Sequence, residues 1–202
     1  MSNTLLVATT NEGKLVEVRF ILGKSGIHLV SLIDIFGDEV PTVEETGNTF
    51  SENAVQKAQY FANKTHLPTL AEDSGLVVSA LNGEPGIYSA RWQPGSDLDR
   101  CQSLLKRMDD ISDRIASFIC AVCVFNPSTQ VNKTFSGTVE GTIAQTVTGN
   151  HGFGYDPIFV PTGYTQSFAT LDESIKNGIS HRHNALQLVQ TFLKNHPQFL
   201  DL

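Results

Sequence analysis

Four short stretches of this chain hold side chains suited to chemistry on an anionic substrate. Thr9-Thr10-Asn11-Glu12-Gly13-Lys14 follows an apolar run and ends in Gly-Lys. A strand-to-helix turn of this kind aims backbone N–H groups and a positive helix end at phosphate, and Lys14 adds a point charge. It is not a Walker A loop, which needs an earlier Gly and a Ser or Thr after the Lys. Carboxylates occur as two pairs, Glu44-Glu45 and Glu72-Asp73. If Glu44 or Glu45 converges on Asp73, the pair makes a hard oxygen site suited to Mg²⁺, which keeps waters and bridges to phosphates. Gly152-Phe153-Gly154-Tyr155-Asp156-Pro157 sets an aromatic ring between glycines, so backbone and ring can approach a flat ligand. Lys176 and Ser180-His181-Arg182-His183 crowd cations into eight residues, the makings of a clamp for a polyphosphate. Each stretch also has a plain structural reading: an N-cap turn, a solvated acidic loop, a tight turn with a core aromatic, and a helix cap.

Stepping from these residues to the elements that hold them, the apolar run from Thr4 to Thr9 reads as a strand. Leu15, Val18, Ile21 and Leu22 then fall on one face of a helix from Lys14 to Leu22. His28 to Leu32 reads as a second strand, and Gly37 to Asn48 as a polar, acidic loop. Thr49-Phe50-Ser51-Glu52 matches a capping box and opens a helix to about Asn63. Strand-like Thr69 to Ala71 and Leu76 to Leu81 flank Glu72-Asp73-Ser74-Gly75, which reads as a strand-end loop, a usual place for catalytic residues. Ser96 or Asp97 caps a helix to about Met108. Ile115 to Phe125 and Val131 to Val139 read as a hairpin, with further strands at Thr142 to Val147 and Pro157 to Val160. A last helix runs from about Asn184 to Asn195. Helices and strands alternate early and strands run consecutively later, which predicts an α/β protein on a mixed sheet in a single domain spanning residues 1–202.

Bulk properties narrow the class. The chain has 202 residues, 40% hydrophobic and 17% charged, with net charge −7. That is a soluble globular composition without the basic face of a nucleic-acid binder, and no run is long enough to span a membrane. With no signal-like segment at its start, the expected address is the cytoplasm. Cys120 and Cys123 form a C-x-x-C inside an apolar run, where an offset of three sends the thiols to opposite faces of a strand, so they read as core. His151, His181 and His183 lack the spacing and the Cys partners of a zinc site.

Taken in order, these clusters resemble the inosine/xanthosine triphosphate pyrophosphatase family. The resemblance is carried by Ala8 to Lys14, Glu44 to Gly47, Asn53-Ala54, Ala71 to Leu76, Pro85 to Arg91, Gly152 to Phe159 and Ser180-His181-Arg182, which span nearly the whole chain. It implies an elongated mixed β-sheet with flanking helices, two lobes around a central cleft, and a homodimer. It implies Mg²⁺-dependent hydrolysis of ITP, dITP and XTP to monophosphate and pyrophosphate, clearing deaminated purines from the nucleotide pool. By the same resemblance Thr9, Thr10, Asn11, Glu12, Gly13 and Lys14 hold phosphates. Glu44 and Asp73 bind Mg²⁺, and Asp73 also activates water. Ser74, Phe153, Gly154, Tyr155, Asp156 and Lys176 contact the nucleotide, and His181 and Arg182 the base end.

The chain departs from the bacterial pattern of that family at Thr10, where Gly is usual, at Glu72, where Asp is usual, and at His183, where Gly is common. Two other readings compete. One is a pyrophosphatase of the Maf type, acting on modified pyrimidine or guanine nucleotides, against which Ser180-His181-Arg182 speaks. The other is a nucleotide-sensing module without turnover, disfavoured by the full set of carboxylates.

Overall fold

The computed structural model describes residues 3–201. In chain order it contains β1 (Thr4–Val7), α1 (Glu12–Leu22), β2 (His28–Ser31), α2 (Leu32–Phe36), α3 (Phe50–Thr65), β3 (Thr69–Val78), α4 (Asp97–Arg107), β4 (Ile115–Asn126), β5 (Val131–Ile143), β6 (Phe159–Pro161), α5 (Glu173–Ile179) and α6 (His181–Asn195). The six strands lie in the order β2-β1-β3-β4-β5-β6. β1 pairs parallel with β2 and with β3, while β5 and β6 are antiparallel. The sheet is therefore mixed, with helices flanking it, as the early alternation and the late run of strands predict.

Two compact units divide the chain. One comprises residues 1–73, 120–137 and 182–202; the other comprises 74–119 and 138–181. The first unit shows why its strands must alternate. Leu5 and Val7 pack in one cluster with Val18, Ile21 and Leu22 of α1 and with Ala185, Leu186 and Val189 of α6. Leu6 and Ala8 pack in another, with Leu32 of α2 and Ala54, Ala58 and Phe61 of α3. Period-two alternation thus fills two faces of the same strands. Cys120 joins the first of these clusters and Cys123 the second, so the C-x-x-C is split across the sheet as expected. The second unit has its own core, built around Leu76, Val78, Leu104, Phe118, Ile158, Phe159 and Phe168.

Three local expectations change. Residues 72–75 are not a loop: β3 runs unbroken from Thr69 to Val78, with Glu72 and Asp73 inside it. The strand expected over 142–147 is the end of β5, which stops at Ile143, where Arg114 binds the carbonyls of Ile143 and Ala144. Its Nε donates to Ile143 O at 2.9 Å and its Nη2 to Ala144 O at 2.6 Å. Two short helices, α2 and α5, lie where no helix is read from the sequence. Among the described residues no helix is long and apolar enough to cross a membrane.

Candidate active site

In the first unit the chemistry gathers around Glu72 and Asp73, inside β3. Asp73 is buried, and its Oδ2 accepts a hydrogen bond from Asn53 Nδ2 at 2.9 Å. Burial pushes the Asp73 carboxyl above its ordinary range, and the charge of Glu45 adds to this, against Lys57 and the Asn53 bond, which favour the anion. A carboxylate that holds protons more tightly is a better base, provided it is ionised at working pH.

Helix α3 builds this corner. Thr49 caps it, accepting from Glu52 N at 3.1 Å, while the Glu52 carboxylate accepts from Asn48 N at 2.7 Å. The capping box expected from Thr49 and Glu52 is therefore present with its return bond one residue earlier. On the next turn Asn53, Gln56 and Lys57, three positions of one helical face, grip the preceding loop. Asn53 Oδ1 accepts from Gly47 N at 2.8 Å, Gln56 pairs with Thr46, and Lys57 Nζ meets Glu45 Oε1 at 2.5 Å. A side chain on residue 47 would place its Cβ 2.7 Å from Asn53 Oδ1, so only glycine admits this grip. Glu44, expected as the metal carboxylate, is exposed, whereas Glu45 is held by Lys57 and acts on Asp73. Asn53 and Lys57 carry roles that the sequence reading did not assign; their i, i+4 spacing behind a capping box was the available signal.

Lys14 and Arg182 are drawn inward by Glu72. Asn11 caps α1, its Oδ1 accepting from Lys14 N at 3.0 Å, and Thr9 Oγ1 accepts from Asn11 N at 3.1 Å. Thr10, Asn11 and Glu12 are exposed, while Thr9, Gly13 and Lys14 are half-buried, so the turn keeps one side open. The Lys14 ammonium lies 3.2 Å from Glu72 Oε1. Arg182 donates from Nε to Glu72 Oε2 and from Nη1 to Glu17 Oε2, both at 2.8 Å, and its side chain is only 1% exposed. Cys120 Sγ lies 2.9 Å from Glu72 Oε2. Burial alone would raise the Glu72 pKa, but the Arg182 and Lys14 charges outweigh it and hold the carboxyl well below the usual range. Arg182, expected to read the base, is thus the centre of a buried ion cluster; two carboxylates hold its guanidinium inside the first unit.

The second unit holds another group. Asp156 Oδ2 accepts from Phe153 N at 2.9 Å and from Lys176 Nζ at 2.6 Å. The Lys176 ammonium also stands 5.0 Å from the Phe153 ring centroid, in cation–π range. Gly152 lies at φ +77°, and a Cβ there would fall 2.1 Å from Asp156 Oδ2, so glycine is required both for the backbone and for the close approach. Phe153 and Gly154 are half-buried and can meet a ligand. Tyr155 is buried, its hydroxyl donating to Ser89 O at 3.0 Å, so it anchors the loop. His181 is buried too, stacked on Phe118 at 4.8 Å between centroids and 12° between planes. Ser74 follows Asp73 along β3 and is half-buried.

The comparisons with known proteins bear on what these groups serve. The model of the Ham1 family matches residues 5–192. The chain belongs to the Ham1 family. It is 48% identical over 185 residues to the dITP/XTP pyrophosphatase of Symbiobacterium thermophilum, covering 90% of each chain. It is 41% identical to that of Oceanobacillus iheyensis over 94% of this chain and 97% of the relative. Among solved structures, a HAM1 protein from Coxiella burnetii matches with TM-score 0.86 at 38% identity, over 95% of this chain and 98% of that one. The Staphylococcus aureus Ham1 protein matches with TM-score 0.84 at 39% identity, over 96% and 99%. The carboxylates, Lys14 and the Phe153–Asp156 loop all lie within the stretch that the Ham1 model matches.

Proposed function

We propose that this chain hydrolyses deaminated purine nucleoside triphosphates, ITP, dITP and XTP, to the monophosphate and pyrophosphate. The observation that carries the reading is Asp73, a buried carboxylate of raised proton affinity held by Asn53 beside the Glu45–Lys57 pair. In a Ham1 chain with dITP/XTP pyrophosphatases as relatives, that is the group suited to take a proton from water. Water attacks the α-phosphorus, the P–O bond to the β-phosphate breaks, Asp73 accepts the water proton, and pyrophosphate leaves. In this reading Lys14 and the N-terminus of α1 bind phosphate, and Lys176 and Phe153 contact the nucleotide.

The same residues suit Mg²⁺. Asp73, with Glu44 or Glu45 from the neighbouring loop, would offer two hard carboxylates, and Mg²⁺ sites use one or two of these with waters and substrate phosphates filling the rest. Among the described residues no group of three His, Cys, Asp or Glu is placed for a metal. When bound, the ion would offset the negative charge of the triphosphate and of the departing pyrophosphate. A homodimer in the cytoplasm, acting on nucleotides and on neither nucleic acid nor membrane, belongs to the same proposal.

The test is pyrophosphate release from ITP, XTP, GTP and ATP, each with Mg²⁺, with Ca²⁺ and in excess EDTA. Turnover is expected with Mg²⁺, less with Ca²⁺ and none in EDTA. ITP and XTP should exceed ATP by roughly 10²-fold in kcat/KM, because a site donating to a C6 oxygen meets the adenine amino group donor to donor. Full turnover in EDTA removes the metal, and a preference for modified pyrimidines would point to the Maf-type reading instead. Lys57→Met provides a second check. Lys57 favours the Asp73 anion, so its loss should move the acidic limb of the pH–rate profile to higher pH. An unmoved limb would mean that Asp73 is not the titrating base.

A further inference from the structure

The loop that carries Phe153 is held from outside by a helix to which neither the sequence motifs nor the proposed reaction gives a part. Gly154 lies half-buried between Phe153 and Tyr155. Its N–H donates to Asp97 Oδ2 at 2.6 Å. The Cys101 thiol donates to its carbonyl oxygen, with Sγ at 3.4 Å. Asp97 and Cys101 are four residues apart, neighbours on one face of α4, so a single helix face takes both polar groups of one loop residue.

The two partners are themselves fixed. Arg100 Nη2 donates to Asp97 Oδ1 at 2.5 Å, and Arg100 Nη1 donates to Gly95 O at 2.8 Å. Ser96 starts the helix with a full capping box, bonding Asp99 in both directions. Cys101 is completely buried, and burial first, with the charges of Asp97 and Asp156 behind it, pushes its thiol up to about 12. It therefore stays protonated and able to donate. On the loop's other side, Asp156 accepts from Phe153 N and from Lys176 Nζ. The peptide segment bearing the aromatic ring is thus bonded at consecutive residues, Phe153 by Asp156 and Gly154 by α4.

We infer that Asp97, with Arg100 and Cys101 behind it, is a positioning residue that sets the height and tilt of the Phe153 ring and so governs nucleotide binding. This rests on the reading that Phe153 and Lys176 contact the nucleotide. A carboxylate bond to a backbone N–H, once lost, leaves the loop free to sample other arrangements. The ordering is then restored from binding free energy, so KM is the parameter that moves.

Two measurements on the full-length chain decide it. Amide hydrogen exchange over residues 150–157 should speed by at least tenfold in Asp97→Ala and stay near wild type in Asp97→Asn, whose amide oxygen still accepts from Gly154 N–H. KM for ITP should rise roughly tenfold in Asp97→Ala, with kcat within about threefold and with rescue by Asp97→Asn. Cys101→Ser, which keeps a donor, should bind ITP better than Cys101→Ala. Unchanged exchange in Asp97→Ala overturns the anchoring whatever the activity. Faster exchange with unchanged KM, or a fall confined to kcat, overturns its part in binding. If wild type releases no pyrophosphate from ITP while exchange responds as expected, the substrate reading fails and the anchoring of the loop by α4 stands.

Discussion

Asp73→Asn should lower kcat by about 10² to 10⁴ while making the protein more stable at neutral pH. The two effects have one origin. Asp73 is buried in β3, and its folded-state pKa lies above its ordinary value of 3.8. The folded state therefore binds its proton more tightly than the unfolded state does. Stability attached to this group is present below 3.8 and is lost as pH rises through the raised folded value. At pH 7 the charged side chain is a net cost, which a neutral amide of the same shape removes. Asn53 can keep its bond, since an amide oxygen accepts as a carboxylate oxygen does. The measurements are kcat for ITP and the thermal midpoint at pH 7. A folded variant with near wild-type turnover would exclude Asp73 as the base, and a lower midpoint would refute the burial argument.

Arg182→Met should be among the most damaging single changes in the chain, at about 3–5 kcal/mol, or a midpoint lower by roughly 6–20 °C. It leaves Glu17 and Glu72 buried without their shared cation, with Lys14 and the Cys120 thiol still against Glu72. Repeating the change with Glu17→Gln and Glu72→Gln removes the stranded charges and should recover most of the loss, since buried ion clusters are costly to break singly and cheap to replace together. The pH dependence has the sign opposite to that of Asp73. The Glu72 pKa is depressed in the folded state, so its stability is present above 4.5 and is lost as pH falls toward the depressed value. Wild type should weaken in acid from about that pH, and the triple variant less so. If Arg182→Met is as stable as wild type, Arg182 is not the keystone of this cluster.

Local signals in the sequence found most elements, while contacts distant along the chain escaped it. Leu15, Val18, Ile21 and Leu22 mark α1 because a helix repeats every few residues, and three of them are buried in the structure. Thr49 with Glu52 marks the start of α3, and Ser96 that of α4, because caps are made within one turn. Glu72 and Asp73 read as loop because acidic residues are poor in strands, yet they sit inside β3. What allows this is Arg182, 110 residues away, and Asn53, 20 residues away, neither of which has a local signature. The same distance hid the burial of Arg182: a cation in a cluster of cations looks solvated until its carboxylates are placed. That α3 holds Glu45 and leaves Glu44 exposed is likewise a matter of Lys57 and Gln56 and not of the acidic pair itself.

The three cysteines fall one to each apolar cluster: Cys120 beside α1 and α6, Cys123 beside α2 and α3, and Cys101 in the second unit. All three are free and buried, and each thiol is pushed above its ordinary range by burial first of all. A thiol reagent can therefore reach each one only through an opening of the cluster that encloses it. The chain carries, without any engineered probe, a separate chemical clock for each part of its interior, and the order in which the three react would give the order in which those parts come apart.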